Sequence, residues 1–233
     1  MTEGLQDRMW RPRYRSDRDD VVRDFYLPAY ESSSEYNRAS GYFTSTSLSL
    51  IGRGIDAFTQ RGGVVRLIAS PKLELDDIED IERGYEIRKV FQRATMRAIE
   101  AETDPSLLRG LGIAGRLIAE GHLDIKLACV ETKRGFALYH EKIGFFRDEF
   151  GDVVAFTGSS NETYGGLMAN FESVQVYRSW IEADSERAAT IVTDFDELWN
   201  DQTATLQVMP FPDVAREALE RIARQVTSTA FPP

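Results

Sequence analysis

His140 and Lys142, two residues apart in LYHEKIGFF, carry an imidazole and an ammonium. Ser159 and Asn161 repeat that two-residue spacing shortly downstream, directly after Gly158. In an extended strand alternate side chains share a face, so each pair would point to one side, about 6 to 7 Å apart. If the two segments are neighbours, the four polar groups converge on a site suited to phosphate. Lys142 supplies charge, Ser159 and Asn161 hydrogen bonds, and neutral His140 a nucleophile or proton carrier. A histidine nucleophile needs its second ring nitrogen held by an acceptor. Glu172, in ANFESVQV, is the candidate; Glu141 is a weaker one, because it should face the other way.

The elements that must position these groups read as alternating α and β. RASGYF (38–43), VVRLIAS (64–70), LDIKLACV (123–130), ALYHEKIGFF (137–146), VVAFTGS (153–159) and FESVQVYRSW (171–180) are strand-like. Helical spacing marks 17–27, 45–60, about 78–101, about 105–120, 184–199 and 211–226, with Pro28 expected to end the first and Thr103-Asp104-Pro105 to start the fourth. Strand, helix, strand over 38–70 implies a parallel pair with a right-handed crossover.

A chain of 233 residues, 42% hydrophobic and 28% charged, can bury a sizeable core. No apolar run is long enough for a bilayer, and the start lacks a signal peptide's apolar core, so a cytoplasmic protein without a membrane partner is expected. Two histidines, one cysteine and no HExxH or HxH spacing leave a metal site short of ligands, and no GxxxxGK[ST] loop is present; no cofactor is expected. Cys129 reads as a buried small hydrophobe. The net charge of −10 argues against bulk electrostatic coating of nucleic acid, although Arg8, Arg11, Arg13, Arg15 and Arg18 cluster near the start and could meet phosphate or a partner protein. The acidic run LELDDIEDIE at 73–82 reads as a solvated helix face.

His140-x-Lys142 followed by Gly158-Ser159-x-Asn161 resembles the HxK…GSxN signature of the phospholipase D superfamily, with Glu172 where its small bacterial nucleases carry a histidine-orienting glutamate. Over nearly the whole chain, segments such as RASGYF, YHEKIGFF and VAFTGSSNET are similar to the nuclease-like region at the N-terminus of some bacterial helicases. The resemblance implies a mixed, largely parallel sheet flanked by helices on both faces, with residues 1–37 as a basic arm and helix, 38–200 as the catalytic domain and 201–233 as a C-terminal extension. It also implies a metal-independent phosphodiesterase that forms a phosphohistidine. The reaction needs two imidazoles; His122 lacks a lysine two positions on and reads as part of a helix C-terminal cap, so a homodimer sharing one site is implied. DNA is the substrate this resemblance favours. A helicase, in trans or in a longer parent chain, is the implied partner, within restriction or anti-phage defence. The alternatives are a non-cleaving module that docks DNA or a helicase, and a phospholipid hydrolase. The signature's aspartate is usually five residues after the lysine, where this chain has Arg147, with Asp148 next.

Overall fold

The computed structural model describes residues 3–42, 55–83, 86–132, 135–158 and 173–229. Three strands, β2 (Glu35–Tyr42), β3 (Val64–Ser70) and β4 (Leu123–Thr132), run parallel at its centre. In the VVRLIAS run of β3, Val65, Leu67 and Ala69 are buried on one side of the pleat and Ile68 on the other, because helices cover both faces of the sheet. Around this trio lie β1 (Arg13–Arg15), β5 (Gly135–Leu138), β6 (Ile143–Arg147), β7 (Val153–Gly158), β8 (Ser173–Arg178) and β9 (Leu206–Pro210). The order is β1-β8-β7-β6-β2-β3-β4. Leu127 of β4 pairs with Ala69 of β3 and Met209 of β9, whereas Cys129 pairs with Leu138 of β5 and Gln207 of β9. β5 therefore takes up the β4 edge where β3 has ended, and β9 runs along the other edge.

Alternation along the strands sends neighbours to opposite cores. Phe146 joins Tyr36, Phe156 and Phe25 on one face, with Tyr36 and Phe146 stacked at 4.4 Å. That face is covered by α1 (Leu27–Glu31), α2 (Ile55–Gln60), α4 (Ile87–Glu100), α5 (Pro105–Ala119) and α7 (Asp213–Thr229). Phe145 joins Ala39, Phe195 and Trp199 on the other, under α6 (Glu182–Trp199). The remaining helix, α3 (Leu75–Glu82), follows β3. At Gly115 the backbones of α5 and α7 come so close that a Cβ would lie 2.2 Å from the Leu219 carbonyl oxygen, a spacing only glycine allows.

The mixed sheet with helices on both faces is as expected, though its parallel share is smaller: two parallel pairings against six antiparallel among the described strands. Several local expectations are corrected. The first helix does not end at Pro28: a wide π-type stretch, Val22–Tyr26, leads into α1, and the proline sits in the first turn of α1, where a missing N–H costs little. The helix expected over 78–101 is two, α3 and α4. Of the helix expected over 45–60, only α2 lies within the described residues. ALYHEKIGFF is two strands, because the chain must leave β4 for β2, and residues 139–142 make that crossing.

The acidic run is largely exposed, as a solvated helix face should be, with one exception. Asp77 is fully buried and accepts hydrogen bonds from Arg93, Arg97 and the Glu74 amide. Burial pushes its carboxyl upward, but those donors together outweigh that and hold it below the usual carboxylate range.

Candidate active site

The crossing segment 139–142 follows the pairing of Leu138 with Cys129 and precedes the pairing of Ile143 with Ala39. It therefore passes over the carboxyl ends of β3 and β2, the rim where open α/β sheets place their ligands. The last residue of β3, Ser70, is buried and spends its hydroxyl on the Ala128 carbonyl at 2.7 Å, so it stiffens the rim and does not line a site. Ser40, near the end of β2, is also buried.

His140 is exposed on this segment. The Lys142 Nζ lies 3.2 Å from each ring nitrogen and donates to the His140 carbonyl oxygen at 2.9 Å. The expected pairing of imidazole and ammonium is present, but its cause differs: the two residues lie in an irregular connector, and direct contact unites them where strand alternation does not. An exposed ring beside a cation can meet an anion arriving from solvent, with the ammonium close enough to share the negative charge of a phosphate.

Two neighbours support the connector. Tyr139 is buried and donates its hydroxyl to Glu141 at 3.0 Å, which occupies that carboxylate away from the imidazole. Burial and the Glu141 charge push the Tyr139 phenol far above its ordinary range, so it stays a neutral donor. A cation acts on that phenol in the opposite sense: Arg38 of β2, whose side chain is almost wholly buried, with its guanidinium 5.0 Å from the Phe156 ring centroid. Space for it exists because residue 144, its cross-strand partner, is glycine; a Cβ there would lie 3.1 Å from the Arg38 Cδ and 2.7 Å from the Phe156 ring. Neither Arg38 nor Tyr139 was singled out from sequence. The only available signal was a glycine opposite an arginine, which needs the pairing register to be read.

β7 ends at the same rim with Gly158. The Gly158 amide donates to the Lys142 carbonyl at 3.2 Å, so the last residue of β7 lies beside the lysine. Ser159, Asn161 and Glu172 lie outside the described residues. Asp148 is placed away from the rim, at the β6–β7 turn. Buried there, it accepts hydrogen bonds from the amides of Leu5 (2.8 Å), Asp152 (2.9 Å) and Phe150 (3.0 Å). Its neighbour Arg147 pairs with Glu35 at 3.1 Å. His122 sits where a helix end was expected, after α5, with Nδ1 2.9 Å from the Gly63 carbonyl oxygen. Cys129 is buried, in accord with its expected core role, as are Phe145 and Phe146. Among the described residues no group of three or more histidine, cysteine, aspartate or glutamate side chains could hold a metal ion. No described helix is long and apolar enough to cross a membrane.

No protein-family model and no curated protein matches the sequence. Solved structures do. NucT from Helicobacter pylori superposes with a TM-score of 0.52 at 14% identity, over 85% of this chain and 98% of that one. A phospholipase D family member, Nuc from Salmonella typhimurium, gives 0.48 at 16% identity over 85% and 95%. Phosphatidylserine synthase from Haemophilus influenzae Rd KW20 gives 0.46 at 13% identity, over 88% of this chain and 43% of that one. The likeness to NucT is one of fold.

Proposed function

We propose that this chain, which has the phospholipase D-like α/β fold, is a metal-independent phosphodiesterase that cleaves DNA through a phosphohistidine. The observation that carries the reading is the exposed His140 ring with the Lys142 ammonium 3.2 Å from both its nitrogens, on the carboxyl rim where the end of β7, Gly158, bonds to the Lys142 carbonyl. In the first step a ring nitrogen of His140 gives its lone pair to phosphorus. The P–O bond to the leaving oxygen breaks, and that oxygen takes a proton from a second imidazole. Water then attacks the phosphohistidine, returns a proton to the second imidazole and breaks the P–N bond. Lys142 and Asn161 stabilise the phosphoryl oxygens as charge develops, Ser159 adds a hydrogen bond, and Glu172 orients the His140 ring.

The second imidazole comes from the partner subunit's His140 across a two-fold axis, so the homodimer is part of the reaction. A helicase, in trans or in a longer parent chain, would supply strand access; this part rests on the sequence resemblance alone.

The test is plasmid nicking in excess EDTA. Cleavage that persists in EDTA and is lost in His140→Ala, with an acid-trapped, acid-labile phosphoramidate on the wild type, supports the reading. Binding of DNA with no cleavage of any single- or double-stranded substrate supports a docking module instead. Phosphatidylcholine hydrolysis that outpaces DNA cleavage supports a lipid hydrolase.

A further inference from the structure

We propose that the sheet face around β8 and β1 carries a binding track for the phosphodiester backbone of a polynucleotide, with Arg13 and Arg187 as its phosphate contacts. This rests on the reading above, since the track leads from the His140 rim.

The register places the track. Ile143 of β6 pairs with Thr157, Thr157 with Gln175, and Gln175 with Arg13. Directly opposed residues share a face, and Ile143 packs under α6, so this row looks toward the α6 side. Ile143 is buried and Thr157 half-buried, but Gln175 and Arg13 are exposed: the row emerges from beneath the helix toward β1. It starts one residue from Lys142 and crosses three strand spacings, roughly 14 Å, which is the length of about four stacked nucleotides. Tyr177, two residues along β8 on the same face, carries the Arg187 guanidinium 5.7 Å from its ring centroid.

Charge separates Arg13 from its neighbours. Among the described residues, Arg8, Arg11, Arg15, Arg18 and Arg23 each lie within ion-pair distance of a carboxylate, respectively on Glu3 and Glu31, Asp19, Asp17, Asp19 and Asp24. Arg13 instead donates Nε to the Ser173 hydroxyl at 2.9 Å, which fixes the stem of its guanidinium on the sheet face and spends no charge. The residues between the rim and Arg13, Thr157 and Gln175, are neutral hydrogen-bonding groups. In a chain of net charge −10, a row of described residues that carries no carboxylate and ends on an arginine fits a polyanion, and a short diester would not reach its far end.

The experiment uses the full chain carrying His140→Ala, with a fluorescein-labelled 20-mer of single-stranded DNA, and reads anisotropy against salt. Adding Arg13→Ala or Arg187→Ala should each weaken binding about threefold to tenfold and lower the slope of log K against log salt by about one contact's worth. In the otherwise unaltered chain, either change should lower the ratio of 20-mer cleavage to bis(4-nitrophenyl) phosphate hydrolysis by a similar factor. Affinity and salt slope unchanged in both variants would overturn the track and leave the catalytic reading standing. Arginine-dependent binding in a protein that cleaves neither substrate would uphold the track and overturn the catalysis. If vesicles of phosphatidylcholine and phosphatidylglycerol bind with the same dependence on Arg13 while the 20-mer does not, the ligand is a lipid headgroup and the polynucleotide assignment fails.

Discussion

Replacing Asp148 by alanine separates the two roles the signature's aspartate could play. In the structure its carboxylate accepts from three backbone amides and ties the N-terminal Leu5 to the β6–β7 turn. The Leu5 amide lies in a buried setting and would be stranded by the change, at about 2 kcal/mol, while those of Phe150 and Asp152 sit in a turn that water can reach, at about 1 kcal/mol each. The sum is about 4 kcal/mol, a large part of the 5 to 15 kcal/mol typical of a domain, so the variant stays folded in the cold but melts about 10 °C lower. Asp148→Asn keeps one acceptor oxygen and should lose about half as much. Urea titration at 10 °C gives the free energies, and bis(4-nitrophenyl) phosphate hydrolysis at the same temperature gives turnover per folded molecule. The reasoning fails if Asp148→Ala is as stable as the wild type, or if its folded form has lost turnover more than about tenfold, which would place the carboxylate in the chemistry.

Lys142→Ala and Asn161→Ala should remove turnover without changing the melting temperature, whereas Glu172→Gln should lower kcat only partly by loosening the ring; paired activity assays and thermal melts check both. Asp77→Ala should destabilise by about 2 to 3 kcal/mol at pH 7, less than a dry ion pair would, because the Arg93 and Arg97 side chains are 50% and 34% exposed. The folded Asp77 carboxyl titrates below its unfolded value of about 3.9, so its contribution is present above that pH and fades as pH falls through the folded value. Urea midpoints of wild type and variant should converge at the acid end. Gly144→Ala should destabilise by about 2 kcal/mol or more, since the added carbon would sit 2.9 Å from the Asn37 carbonyl oxygen, which cannot move aside without breaking the β2–β6 ladder; a urea midpoint shift measures it. Specific activity should fall on dilution as the dimer dissociates, and a monomer by light scattering with full activity would refute the shared site.

What could be read from the residues depended on whether local pattern or tertiary pairing decides the structure. VVRLIAS appears in the fold with the bounds its β-branched run suggested, because a strand buried on both faces leaves a contiguous apolar signal. Arg13-Tyr14-Arg15 is a strand only through its pairing with β8; one buried ring between two arginines gives no pattern to read, and β9 was missed for the same reason. The buried Asp77 had a usable clue in Arg93 and Arg97, spaced i and i+4 on the next helix and able to reach one carboxylate. In ALYHEKIGFF the two polar residues read as a pair do lie in contact, while the alternating pattern misplaced them within one continuous strand.

That last difference bears on catalysis. A histidine in mid-strand is held by a ladder on both sides and presented by the pleat, whereas His140 sits in four residues outside any strand, anchored by Leu138 before it and Ile143 after it. What fixes the connector is then local: the buried Tyr139 phenol bonded to Glu141, and the Lys142 ammonium bonded to the His140 carbonyl. In the proposed reaction Lys142 would do two things at once, shaping the connector and facing the phosphate, and Lys142→Arg would keep the charge while changing the fit to that carbonyl. Its expected signature is a kcat loss with KM nearly unchanged, because the charge that attracts substrate remains and the ring position that reacts with it does not. Equal losses in Lys142→Arg and Lys142→Ala would place the lysine's importance in its exact reach; full activity in Lys142→Arg would leave the connector held by Tyr139 and Glu141 alone.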